Sequence, residues 1–137
     1  MLTPKEIAIK RMFEQDAFSK WLGMEILTVE KGYCKVKMTV RDEMTNGFNI
    51  AHGGITYSLA DSAFAFASNS HGIQSVSLET SISHLKKVVS GDLLIAEAKE
   101  INLTRKTGLY LIEIHNQHQE LVAQFKGTVY RTSKEWE

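Results

Sequence analysis

The sequence predicts an α+β domain in which one antiparallel sheet wraps a single buried helix. Three features point there: the order helix, strand, buried helix, then four strands; the short links between those strands; and a central helix with almost no polar face.

Residues 3–20 read as an amphipathic helix. Thr3 is placed to cap it, Pro4 takes its first position and Glu6 completes a capping-box pattern. Ile7, Met12, Phe13 and Phe18 supply its apolar stripe. In GYCKVKMTV, Cys34, Val36, Met38 and Val40 alternate with Lys35, Lys37 and Thr39, the pattern of a half-buried strand. The turn-rich RDEMTNGFNIAHGG leads into residues 54–69, a helix that is apolar or small nearly all round and is therefore expected to be enclosed. Four strands follow. QSVSLETSISHL sets Val76, Leu78, Thr80 and Ile82 on one face; DLLIAEAKEINL, TGLYLIEIHN and ELVAQFKGTVYR come next, with SGD, TRK and NQHQ as links. Links this short favour antiparallel pairing. Five strands and one covering helix leave apolar surface open, so self-association is expected.

Composition excludes several classes. The chain fits one domain, residues 1–137, with no linker, repeat or low-complexity tract. Its 43% apolar and 23% charged residues are those of a globular protein, not of a disordered or membrane one. Sixteen basic and sixteen acidic residues cancel, so no bulk attraction to nucleic acid or an anionic membrane is expected. The single cysteine, Cys34, allows no internal disulfide and fits a reducing compartment. MLTPKEIAIKRMFEQDAFSKWLG has no apolar core of a signal peptide, and no run approaches the roughly 18 apolar residues of a membrane span. A cytoplasmic protein is the expectation.

The chemistry concentrates in NIAHGGITYSLADSAFAFASNS, residues 49–70. Asp61 interrupts this apolar run, and no Lys, Arg or His lies within eight positions of it on either side. Burial disfavours the charged form of a carboxylate and raises its pKa towards the range of a useful general base. The plainer alternative is a carboxylate bonded to nearby backbone on a wetted helix face. His52, Gly53 and Gly54 fall where loop becomes helix. Free N–H groups there, aided by the helix dipole, stabilise a carbonyl oxygen that gains negative charge; the alternative is a glycine turn with tight packing. No Lys-Ser/Thr follows, so this is not a phosphate-binding loop. Gly53 and Asp61 are eight residues apart, about 12 Å along a helix. If both act on one carbonyl, Asp61 must meet Gly53 of a second subunit across a two-fold axis.

Other candidates carry less. Asn46 in TNG is either an amide donor or a turn residue before Gly47. The five histidines have no metal-ligand spacing with Cys, Asp or Glu, so no metal site is expected. Cys34 reads as packing, and the absence of Gly-x-Ser-x-Gly argues against an α/β hydrolase. Arg105 and Lys106 occupy a turn, where they are either a solvated pair or ligands for phosphate.

As a whole, NGFNIAHGGITYSLADSAFAFASNS resembles the active-site segment of hotdog-fold acyl-CoA thioesterases, most closely the phenylacetate-degradation (PaaI-type) family. AFSKWLGMEI, MTVRDEMTNG and TGLYLIEIHNQHQELVAQFKGT extend the likeness over nearly the whole chain. The resemblance implies the hotdog fold, a long central helix wrapped by an antiparallel sheet, with dimers commonly paired into tetramers. It implies an acyl-CoA substrate, aryl-acetyl groups among the nearest relatives, and no cofactor, coenzyme A being part of the substrate. It assigns Asp61 as general base or nucleophile, Gly53 as the backbone donor to the thioester carbonyl and Asn46 as a positioning amide. His52 and Gly54 support the substrate, Ser77 orients the attacking water, and Arg105 with Lys106 in LTRKTG lies near the nucleotide. Two other readings stay open. One is a hotdog hydratase or dehydratase, which would pair a His with an acid; the other is a module that binds acyl-CoA without turnover.

Overall fold

Cross-strand pairing joins six strands in the order β1-β2-β4-β5-β6-β3, every neighbour antiparallel. The strands of this computed structural model, which describes residues 1–137, are β1 (Glu25–Glu30), β2 (Tyr33–Thr39), β3 (Ile73–His84), β4 (Leu93–Leu103), β5 (Thr107–His115) and β6 (Leu121–Glu135). The sheet curls round α3 (Gly53–Asn69), whose Leu59, Ala60, Ala63, Phe64 and Ala67 are buried against Val36, Leu94, Ala96, Ile112 and Phe125. The expected enclosed helix and antiparallel sheet are both present.

Phe64 is the pivot of this packing. Its ring meets Tyr110 edge-on at 5.9 Å and Phe125 at 5.7 Å, and it fills the space over Gly127. A Cβ at residue 127 would lie 2.7 Å from the Phe64 ring, so β6 approaches the helix only because that residue is glycine. Gly127→Ala is expected to overpack the core and destabilise the fold by about 1–3 kcal/mol, read as a lowered denaturant midpoint. An unchanged midpoint would show that the ring can move aside.

The structure corrects three expectations. Residues 3–20 do not form one helix. The capping box of Thr3 and Glu6 opens α1 (Pro4–Glu6), a π-helical stretch covers Ile7–Met12 and a 3₁₀ turn Phe13–Gln15. The chain then breaks at Asp16 (φ −99°, ψ 87°), whose carboxylate accepts the Ser19 N–H at 3.0 Å and caps α2 (Ala17–Leu22). Ile7 joins the buried set as expected, but the break turns Phe18 outward, 53% exposed.

The sheet has six strands rather than five. The sixth, β1, carries an irregular register between Ile26 and Thr28, which puts the core-packed Ile26 and Val29 three residues apart. A spacing of three matches neither strand nor surface-strand alternation, and the pattern hides.

The third correction lies in β3. Ser77 pairs with Val129 and Glu79 with Thr128, leaving Leu78 as an unpaired bulge residue. A bulge switches which side chains face inward. Ser77 lies opposite the buried Val129, while Thr80 and Ile82 lie opposite Gly127 and Phe125, so these three share one sheet face, where Thr80 and Ile82 are part-buried and Ser77 is exposed. Val76 and Leu78 were expected on that face and are instead 56% and 59% exposed, on a strand at the edge of the sheet.

Candidate active site

The N-terminus of α3 is built by His52. Its extended backbone (φ −58°, ψ 137°) ends the loop, its carbonyl accepts the Ile55 N–H at 2.8 Å, and its Nδ1 accepts the Gly54 N–H at 2.9 Å. That cap consumes the Gly54 donor, so Gly54 offers the site space rather than a hydrogen bond. The Gly53 N–H has no partner in the chain, and at a helix start it is a free donor strengthened by the helix dipole.

Asn46 is brought to the same place by a tight loop. Thr45 bridges to Ala51, Asn49 takes a left-handed backbone (φ 62°), and the Asn46 N–H donates to the Ile50 carbonyl at 2.8 Å. The side-chain Oδ1 accepts the Phe48 N–H at 2.9 Å, which orients the amide and leaves its NH₂ unused. Asn46 is thus a turn residue and a spare donor at once. It lines a cleft of about 380 Å³ together with Gly53, Thr56, His84, Lys86 and Lys87.

His84 was not singled out from the sequence. Its Nδ1 lies 3.2 Å from the Thr56 hydroxyl, and its Nε2 would be 3.2 Å from a Cβ at residue 53. Glycine at 53 is therefore what lets the imidazole sit beside the free N–H. The two residues are 31 apart in sequence, and only the run of β3 back along α3 joins them. No local pattern signals that.

Asp61 lies elsewhere on α3. The positions of this helix that are not buried, Gly53, Gly54, Tyr57, Ser58, Asp61, Ser62 and Ala65, form one open stripe at helical spacing. Burial raises the pKa of the Asp61 carboxyl above the ordinary aspartate range, and the nearby Asp16 carboxylate adds to the effect. Asp16 is held there by Ser19, whose hydroxyl donates to it at 2.5 Å and lies 2.8 Å from the Ser62 hydroxyl. Nothing in the chain hydrogen-bonds or ion-pairs with Asp61 itself, which leaves a carboxylate with a raised proton affinity facing the open stripe.

Ser77 is exposed on β3 and hydrogen-bonds to no side chain. On either side of it along β3, Thr80 is hydrogen-bonded to Tyr57 and Ser75 to Asn69, which brackets Ser77 between those two points of α3. Arg105 and Lys106 are remote from Asn46 and Gly53. They line a separate cleft of about 350 Å³ with Arg131 and Ile73, beyond the C-terminal end of α3. Cys34 is buried on β2, where desolvation pushes its thiol up to about 12, so it is packing. No group of three or more His, Cys, Asp or Glu side chains is placed to hold a metal ion.

One chain therefore assembles Asn46, Gly53 and His84 but does not bring Asp61 to them. Eight residues of uninterrupted helix, about 12 Å, separate Gly53 from Asp61.

A sheet curled round one long central helix, opened at that helix by an unsatisfied N–H, is the architecture of a hotdog thioesterase. Residues 48–123 match the thioesterase superfamily. A protein of Archaeoglobus fulgidus is 46% identical over 125 residues, covering 91% of this chain and 81% of that one. The acyl-coenzyme A thioesterase PaaI of Escherichia coli is 43% identical over 120 residues, 88% of this chain and 86% of its own. The structure of the E. coli PaaI protein, from the phenylacetic acid degradation operon, superposes with a TM-score of 0.93 over 96% of each chain, at 39% identity. A Streptococcus mutans protein solved bound to acetyl CoA superposes with a TM-score of 0.80 at 30% identity, covering 82% of this chain and 91% of that one. The chain belongs to the thioesterase superfamily and, within it, to the PaaI-type acyl-CoA thioesterases.

Proposed function

We propose that the protein hydrolyses the thioester of phenylacetyl-CoA, hydroxyphenylacetyl-CoA or a similar aryl or medium-chain acyl-CoA, at a site shared between two subunits. The observation that carries the reading is the split of the site. An unpaired donor and a spare amide share one cleft, while the only carboxylate fit to act as base lies about two helical turns away on an open stripe.

Two copies related by a two-fold axis, with their α3 helices antiparallel, place Asp61 of one chain opposite Gly53 and Asn46 of the other. The exposed edge of β3, with Val76 and Leu78 uncovered, is the surface such a pairing would bury. Pairs of these dimers then give the tetramers common in the family. The thioester carbonyl accepts from the Gly53 N–H, and the Asn46 amide positions substrate or water. Asp61 either takes a proton from water as it attacks or attacks the carbonyl itself. Both routes consume one water, break the acyl–sulfur bond and release a carboxylic acid and coenzyme A. Ser77, on the β3 edge that this pairing would bury, orients the water. No cofactor is required.

In this dimer the C-terminal end of α3 in the Asp61 subunit projects past the Gly53 end of its partner. Arg105 and Lys106 then stand where the phosphates of coenzyme A would reach. Replacing both with Ala is expected to raise KM, weaken its salt dependence and leave kcat within a few-fold. An equal loss on a short thioester lacking the nucleotide would instead mark damage to the fold.

A thiol-release assay over a panel of aryl and alkyl acyl-CoAs tests the function itself. Turnover with preference for aryl-acetyl groups is the expected result; binding without release of coenzyme A would make the chain a non-catalytic acyl-CoA module.

A further inference from the structure

We infer that the acyl group is received by a cleft whose wall is the aromatic pair Phe18 and Trp21, and that this wall favours an aryl group over a short alkyl one. The inference rests on the thioesterase reading above and extends it to the part of the substrate that reading leaves unplaced.

The cleft holds about 390 Å³; Phe18, Trp21, Met44 and Ile55 line its apolar side, and Glu43 and His52 stand among its polar residues. That volume is within the range of small-molecule sites, about 300–1,000 Å³. Its floor is the open stripe of α3: Ser58 is three residues from Asp61, about 4.5 Å along the helix. An acyl chain whose carbonyl lies at Asp61 would run along this stripe into the cleft of the same subunit, away from the nucleotide end.

The wall is held rigidly. Phe18 and Trp21 lie parallel, centroids 6.0 Å apart and planes at 12°, and are 53% and 47% exposed. Short α2 is pinned at both ends. At its start, Asp16 and Ser19 tie it to Ser62 of α3, the residue next to Asp61. At its end, the Arg41 guanidinium donates to the carbonyls of Trp21 at 2.7 Å and Leu22 at 3.1 Å and stands 5.0 Å from the Trp21 ring centroid. Two large aromatic faces fixed in place and left half uncovered form a preorganised apolar surface. A flat ring covers such a surface more completely than a two-carbon chain, and gains the offset-stacking or edge-on geometry that aromatic pairs prefer.

Kinetics on phenylacetyl-CoA and acetyl-CoA test this. Trp21→Ala is expected to lower kcat/KM on phenylacetyl-CoA at least 10-fold more than on acetyl-CoA, with Phe18→Ala acting in the same direction. Equal losses on the two substrates, or loss of the oligomer on sizing, would overturn the inference and assign the pair to subunit packing. A second readout does not depend on turnover. In an Asp61→Asn, Trp136→Phe background Trp21 is the only tryptophan, and its emission should respond to phenylacetyl-CoA but not to coenzyme A alone. An identical response to both would also overturn it. If the wild type releases no thiol from any acyl-CoA, the thioesterase reading fails, and the fluorescence arm still decides whether the cleft takes an aryl-acyl group.

Discussion

Asp61→Asn is expected to lower the rate of acyl-CoA hydrolysis about 100- to 10,000-fold, the usual worth of a positioned acid–base group or nucleophile. The substitution preserves the shape of the side chain and removes its ability to hold a proton or attack. Acyl-CoA binding should survive, because a charge beside the thioester has been lost rather than a contact. Activity within a few-fold of wild type would remove Asp61 from the mechanism. The same residue sets the pH dependence. Burial and the Asp16 carboxylate raise its pKa, so the acid limb of kcat/KM should lie above the ordinary aspartate range and disappear in the variant. The sign for stability follows. A carboxyl whose pKa is higher in the folded state than in the unfolded one favours folding at low pH, and that contribution is lost as pH rises through the folded value. Asp61→Asn should therefore stabilise the fold near neutral pH, with the gain vanishing as pH falls below the ordinary aspartate value. A catalytic group kept at the expense of stability behaves this way.

The parts of the fold that were legible in the sequence are those with a strong local signal. The central helix, the capping box at Thr3 and the strand alternation from Cys34 to Val40 each follow from neighbours in the chain. What escaped depends on irregularity or distance. The π-helical turn and the Asp16 cap break a stretch whose apolar residues read as one stripe, and they send Phe18 outward. The irregular register in β1 destroys the alternation that would have marked it as a strand. In β3 a single bulge at Leu78 reverses the faces, so that Ser77 rather than Val76 shares a face with Thr80 and Ile82. The residue singled out by family resemblance thus lies on that face for a reason that alternation alone would have denied.

The site shows the same division. His52, Gly53 and Asp61 were visible because they stand on one helix in a spacing that chemistry constrains. His84 and Arg131 were not, because the sheet alone brings them to Gly53 and to Lys106. The spacing also carried a consequence that the structure sharpens. The helix between Gly53 and Asp61 is unbroken, so no rearrangement within one chain joins donor and base without unwinding it.

The most direct test of the shared site is a heterodimer of two inactive chains, one carrying Asp61→Ala and the other Asn46→Ala, isolated through separate tags. Each homodimer should be nearly inactive. In the heterodimer, one site receives both substitutions and the other receives neither, so about half of wild-type activity should return. A purified heterodimer as inactive as its parents would contradict the cross-subunit site, and would require the acid and the amide to meet within one chain.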